Sequence, residues 1–311
     1  MGSLESRMTK AAVGAASAVA PAMAGRGAAW LFLTPFKPNA LTRQQKALMA
    51  RAQKHLDKGE AFRVRHPGGT LQAYRFRGSA GGPTRGTVIL VHGWMGRAAL
   101  MAGFINPLTA EGFDVVCFDL PAHGRSDGRQ TNGLVCAAAL QAVAAEVGPV
   151  EAAVGHSFGG FVIGLAAEGR APMKSALDVK RMALIAAPNS FTDLTTRFGQ
   201  EIGLGKRAQA VFEKTLKKIG SRRLSEFDGN RILGGIDRPI LVIHSRDDEE
   251  IPFAQGATFQ ALGEHVTFLP ANGLGHRQIL YAPSTIRSVR DFVARHGIRT
   301  DRQGAVRQNF Q

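Results

Sequence analysis

The hexapeptide Gly155-His156-Ser157-Phe158-Gly159-Gly160 directly follows the apolar run Val150-Glu151-Ala152-Ala153-Val154. An apolar run, a tight turn carrying a serine and then a stretch of small and apolar residues spell strand, turn, helix. The glycines at 155 and 159 have a steric reason: in so sharp a turn a Cβ at either position would crowd neighbouring backbone. The turn lifts Ser157 to the tip of the strand. Beneath it begins a helix, whose free N–H groups and dipole favour negative charge. With 37 glycines in 311 residues, the bare pattern arises by accident in roughly one such chain in six. Its weight comes from the motifs around it.

Upstream, Thr87-Val88-Ile89-Leu90-Val91 is a β-branched run of the kind buried in a parallel sheet. It ends in His92-Gly93-Trp94-Met95-Gly96. A backbone N–H from this loop can converge with that of Phe158, and two converging donors make a site for an oxyanion. A further strand, Phe113 to Phe118, runs into Asp119-Leu120-Pro121-Ala122-His123-Gly124-Arg125-Ser126. Here Asp119, His123 and Arg125 are expected to organise the loop through hydrogen bonds rather than to carry out chemistry.

A serine hydroxyl is a weak nucleophile until a base takes its proton, and the base needs an acid to orient it. The C-terminal third offers both. The strand Pro239 to His244 leads into Ser245-Arg246-Asp247-Asp248-Glu249-Glu250-Ile251-Pro252, and the strand Val266 to Leu269 is followed by Asn272-Gly273-Leu274-Gly275-His276. Either Asp247 or Asp248 can serve as the acid. Of the nine histidines, His92 and His156 sit inside the motifs as loop tuners, and the others apart from His276 read as surface or core residues. No H-E-x-x-H or C-x-x-C spacing points to a metal.

Taken together, the HG loop at His92-Gly93, the D-x-P-x-H-G-x-S loop at Asp119 to Ser126, the elbow GHSFGG, the acid loop ahead of Pro252 and the pair Gly275-His276 resemble the α/β-hydrolase fold superfamily over about residues 60 to 298. The resemblance implies Ser157 as nucleophile, His276 as base and Asp248 as acid, with Trp94 and Phe158 as backbone oxyanion donors. It implies hydrolysis of a small-molecule ester without a cofactor. Thioesterase, lactonase, peptidase and carbon–carbon hydrolase chemistry share the same triad, and a non-catalytic ligand-binding relative is the alternative of a different class.

The expected fold is therefore a mostly parallel, doubly wound sheet with an N-terminal antiparallel hairpin and an inserted helical lid. The hairpin is Ala61–His66 and Thr70–Arg77 around Pro67-Gly68-Gly69. The expected division is 1–59 N-terminal helical extension, 60–189 and 236–299 core, 190–235 lid, and 300–311 polar tail. Within the lid, Phe191, Leu194, Phe198, Ile202 and then Ala208, Val211, Phe212, Leu216 recur at helical spacing. Met95, Phe191, Phe198 and Phe212 are the candidate substrate-pocket residues.

Two cysteines, Cys117 in a strand and Cys136 in a helix, read as core thiols of a reducing compartment, so the expected localisation is cytoplasmic. The Ala-rich stretch Lys10 to Ala24 leaves export through a weak signal as the alternative. It is expected to form a helix ending near Gly25, followed by a docking segment Trp30-Leu31-Phe32-Leu33. The net charge is +15, and Lys206 to Arg223 is strongly basic. That block reads as a solvated face, or as a surface attracted to an anionic membrane or acidic substrate. Nucleic acid is not an expected partner, because no binding fold accompanies the charge.

Overall fold

The computed structural model describes residues 4–36 and 43–295. Eight strands form one sheet: β1 (Glu60–His66), β2 (Gly69–Phe76), β3 (Thr87–Val91), β4 (Asp114–Phe118), β5 (Val150–His156), β6 (Val179–Ile185), β7 (Ile240–Ser245) and β8 (Val266–Ala271). Their spatial order is β1-β2-β4-β3-β5-β6-β7-β8. β1 and β2 pair antiparallel, β2 meets β4 antiparallel, and every later pairing is parallel. The expected edge hairpin and parallel core are both present. The strands β3, β4, β5 and β7 are buried along their whole length. That is why they carry unbroken apolar runs rather than alternation.

Twelve helices accompany the sheet among the described residues: α1 (Leu4–Val19), α2 (Pro21–Phe32), α3 (Arg43–Leu56), α4 (Ile105–Ala110), α5 (Gly133–Val147), α6 (Phe158–Glu168), α7 (Phe191–Ile202), α8 (Lys206–Gly220), α9 (Gly229–Leu233), α10 (Phe253–Ala257), α11 (Gly275–Gln278) and α12 (Pro283–Ala294). Leu140, Val143, Phe161, Val162 and Leu165 of α5 and α6 build the core on one face of the sheet. Met101, Phe104, Ile105, Val289 and Phe292, with Leu56 of α3, build it on the other. Asn132 caps α5 by accepting from the Val135 N–H at 3.0 Å, and Ser190 caps α7 by accepting from the Asp193 N–H at 3.1 Å. The lone thiols Cys117 and Cys136 are buried in these cores.

The N-terminal segment departs from the expected course. Its first helix ends at Val19 rather than near Gly25, and Pro21 opens a second helix that continues through Phe32. Proline suits that first position, where its missing N–H would be unpaired anyway. Gly25 instead lies inside α2 at the closest crossing with α8. A Cβ there would meet Ala208 Oand would stand 2.6 Å from Val211 Cβ. The predicted docking residues are therefore largely helical, and Phe32 packs edge-on against Phe191, Phe198 and Phe212 at 6.1, 5.0 and 5.5 Å between ring centres. The polar tail expected from residue 300 lies outside the described residues.

Candidate active site

Ser157 stands between the end of β5 and the first residue of α6, with φ 52° and ψ −121°. A non-glycine residue in that region costs on the order of 1–3 kcal/mol and persists only where its surroundings impose it. The surroundings here are crowded backbone. A Cβ at Gly155 would stand 2.6 Å from Gly159 C and Gly160 N, and one at Gly159 would meet Val91 O and stand 2.7 Å from His92 O. The Ser157 N–H anchors the turn by donating to Ile185 O at 2.8 Å. Its hydroxyl makes no hydrogen bond to a described residue.

The acid and base loops meet at the sheet's C-terminal edge. His276 Nδ1 lies 2.8 Å from Asp248 Oδ2. Asp248 Oδ1 accepts the N–H groups of Glu250 and Ile251 at 2.9 and 2.7 Å. Burial alone would push this carboxyl up, but hydrogen bonds from His244, His276 and the Ile251 amide outweigh it and hold Asp248 well below the usual carboxylate range. An ionised Asp248 only accepts, so Nδ1 of His276 carries a proton, and in the neutral ring Nε2 is then the acceptor. Of the two aspartates the sequence leaves open, Asp248 is the one bonded to His276. Asp247 braces the loops instead: it accepts from Ser245 Oγ at 2.6 Å, Gly273 N at 2.8 Å and Gly275 N at 3.0 Å.

Sequence reasoning passed over His244. Its ring is fully buried, and Nε2 lies 3.3 Å from Asp248 Oδ2 and 2.9 Å from Ile251 O. The signal was its place at the end of β7, four residues before the acid. The other motif histidines brace loops as expected. His156 Nε2 donates to His276 O at 2.8 Å. His92 Nε2 accepts from the Leu120 N–H at 3.0 Å, and His123 Nε2 from the Met95 N–H at 3.1 Å. Burial holds His92 down at about 4, and His123 and His156 at about 3, so all three are neutral. Asp119 accepts from the N–H groups of Ala98 and Arg125, both at 2.8 Å.

With the Met95 amide engaged by His123, the N–H groups of Trp94 and Phe158 remain without a hydrogen bond to any described residue. The two rings touch edge to face at 5.1 Å. Ser157, Trp94, Phe158 and His276 all border one cavity of about 580 Å³. Met95, Phe191 and Phe198 line it, beside Phe161, Phe227 and Leu216. Phe212 does not: it is fully buried behind Phe32 and Phe198, whose rings hold the wall position. Sequence reasoning also missed that the N-terminal segment supplies wall, through Leu31, Phe32, Leu33 and Phe36. The segment is strapped to the core, since the Thr131 N–H donates to Leu33 O at 2.9 Å and Gln130 Nε2 to Thr34 Oγ1 at 2.9 Å. A polar margin is formed by Arg197, Glu201, Glu249 and Glu250. Glu250 Oε2 lies 3.9 Å from His276 Nε2. Among the described residues no group of three His, Cys, Asp or Glu side chains stands at metal-binding spacing.

No curated relative matches the chain. Among solved structures, an esterase from Pyrococcus furiosus superposes with a TM-score of 0.60 at 18% identity, covering 85% of this chain and 97% of that one. The ferulic-acid-bound Est1E of Butyrivibrio proteoclasticus gives 0.60 at 18% identity, covering 76% and 97%. The esterase RhEst1 of a Rhodococcus species gives 0.54 at 21%, covering 77% and 99%. These likenesses are of fold. The model of the alpha/beta hydrolase family matches residues 88–285, which span every strand from β3 to β8 and each of Ser157, Asp248 and His276, and the chain belongs to that family.

Proposed function

We propose that the protein is a serine hydrolase that cleaves carboxylic esters with apolar acyl chains. The observation that carries this reading is the convergence of four groups on one aromatic cavity. They are a strained elbow serine, two unengaged N–H groups, and a histidine bonded to an ionised aspartate. In this reading His276 Nε2 takes the Ser157 proton as Oγ attacks the ester carbonyl. The Trp94 and Phe158 N–H groups hold the tetrahedral oxyanion. His276 then protonates the departing alcohol, and in the second half it activates water to free the acid. The missing Ser157–His276 hydrogen bond does not count against the pair, since such bonds often tighten only once substrate is bound.

The inserted helices α7 and α8, with the end of α2, act as the lid that sets acyl preference. Esterases among the fold neighbours make an ester the first substrate to test, and thioesters the second. The test is a panel of p-nitrophenyl esters of graded chain length, run beside the matching coenzyme A thioesters. A methylene buried in the cavity is worth about 0.8 kcal/mol, or roughly fourfold in kcat/KM, so activity should climb from butyl to octyl esters. Ser157→Ala should abolish both turnover and labelling by a fluorophosphonate. Labelling that survives Ser157→Ala would show the nucleophile to be elsewhere. A folded wild-type protein that neither labels nor turns over would show a ligand-binding relative.

A further inference from the structure

We propose that the outer face of α1 and α2, flanked by the cations of α8, docks on an anionic phospholipid bilayer and presents the cavity mouth to it. Helix α2 carries large apolar side chains on its solvent side as well as on its packed side, where Phe32 lies. It buries its small residues Gly25, Ala28 and Ala29 against α8 and turns Met23 and Trp30 outward, 76% and 56% exposed. On α1, Met8 and Val19 are 65% and 87% exposed, and the positions between them on that face are alanines. Of the nine exposed large apolar side chains among the described residues, five lie on this N-terminal segment. Two more, Met95 and Ile219, border the cavity, as does Phe36 of the segment. Three of the nine thus border the cavity, and four more lie on the two helices that lead to it.

Cations of α8 lie beside α2, while the cavity margin itself carries Arg197, Glu201, Glu249 and Glu250. Arg207, Lys214 and Lys218 are exposed on the stripe of α8 that also carries Val211, against which Gly25 rests. Lys10 and Arg26 are exposed on α1 and α2. None of these five forms an ion pair with a described carboxylate. Large apolar side chains, a tryptophan among them, bordered by unpaired cations match the acyl boundary and headgroups of an anionic leaflet. Among the described residues no helix is long and apolar enough to cross a membrane, so the contact lies on the surface.

The experiment is flotation of the full chain with phosphatidylcholine vesicles, with and without phosphatidylglycerol, in the Ser157→Ala background so that turnover does not enter. Binding is expected only with phosphatidylglycerol and should weaken with salt. K214E together with K218E should lower the partition coefficient at least about 25-fold, since each cation near such a surface is worth roughly fivefold. Met23→Ser with Trp30→Ser should lower it about tenfold at unchanged charge. R51E with K54E, the same charge change on exposed residues of α3, should move it less than about threefold. Thermal midpoints check that each variant is folded. Absence of flotation, equal binding to neutral vesicles, or an equal loss from the α3 pair would overturn the proposal. The result stands or falls independently of the ester reading.

Discussion

Asp248→Asn isolates the contribution of one proton's position. The amide oxygen can keep the Oδ1 place and go on accepting from Glu250 N and Ile251 N, so the loop should hold its shape. The NH₂ then takes the Oδ2 place, 2.8 Å from His276 Nδ1 and 3.3 Å from His244 Nε2. Two N–H groups cannot face each other, so Nδ1 must become the acceptor and the His276 proton moves to Nε2. In the proposed mechanism that is the atom which receives the Ser157 proton. A locked wrong tautomer costs on the order of 10⁴ in kcat, or about 5.4 kcal/mol of barrier. KM should shift less than about threefold, because Asp248 does not border the cavity. His244 loses one acceptor but keeps Ile251 O at 2.9 Å. Asp247→Asn is the control: it strains the Gly275 N–H contact and should cost about 1–3 kcal/mol of stability while leaving kcat within about tenfold. Steady-state kinetics on one soluble ester reads both variants. If Asp248→Asn keeps more than a tenth of wild-type kcat, or Asp247→Asn falls as far, the proton argument is wrong.

Three further outcomes are expected. His92, His123 and His156 are held neutral by burial at about 4, 3 and 3, below the 6.5 of an unfolded chain. Folding therefore binds fewer protons, and stability present above pH 6.5 is lost as pH falls toward 4, at about 1.4 kcal/mol per histidine per pH unit. The thermal midpoint should drop steeply between pH 6.5 and 5, and a flat profile would refute the burial argument. Phe198→Ala should flatten the chain-length preference, whereas Phe212→Ala, off the cavity, should mainly cost about 3–5 kcal/mol of stability; equal effects of both on the ester panel would contradict the wall assignment. Gly25→Val should push α2 off α8 and raise proteolysis between residues 20 and 36, which limited digestion reads directly.

The legible parts of this chain were those where one local rule decides the structure. The elbow could be read because Gly155 and Gly159 have no tolerated substitute beside Gly160 N and His92 O. The parallel strands could be read because burial on both faces forces continuous apolar runs. Asp248 against Asp247 could not be decided from neighbours one residue apart. Only the folded loop shows which carboxylate meets His276 and which collects the amides of Gly273 and Gly275. His244 escaped for a similar reason, since its partner Asp248 is fixed by tertiary geometry.

The N-terminal segment shows where local reading misleads and why. Gly25 resembles a helix stop, and in isolation a glycine there weakens a helix by about 1 kcal/mol against alanine. Here the close passage of α8 requires its missing Cβ. The cost in propensity is offset by a crossing that sets Phe32 among Phe191, Phe198 and Phe212. That contact makes α2 part of the cavity wall. The strap from Thr131 to Leu33 fixes its far end to the core loop ahead of α5. The segment thus joins the inserted helices to the hydrolase core across the cavity. A change on its buried side should be felt in acyl preference, and a change on its exposed side in surface binding. The two sides of one short helix can therefore be varied separately, Phe32 for the first and Met23 with Trp30 for the second.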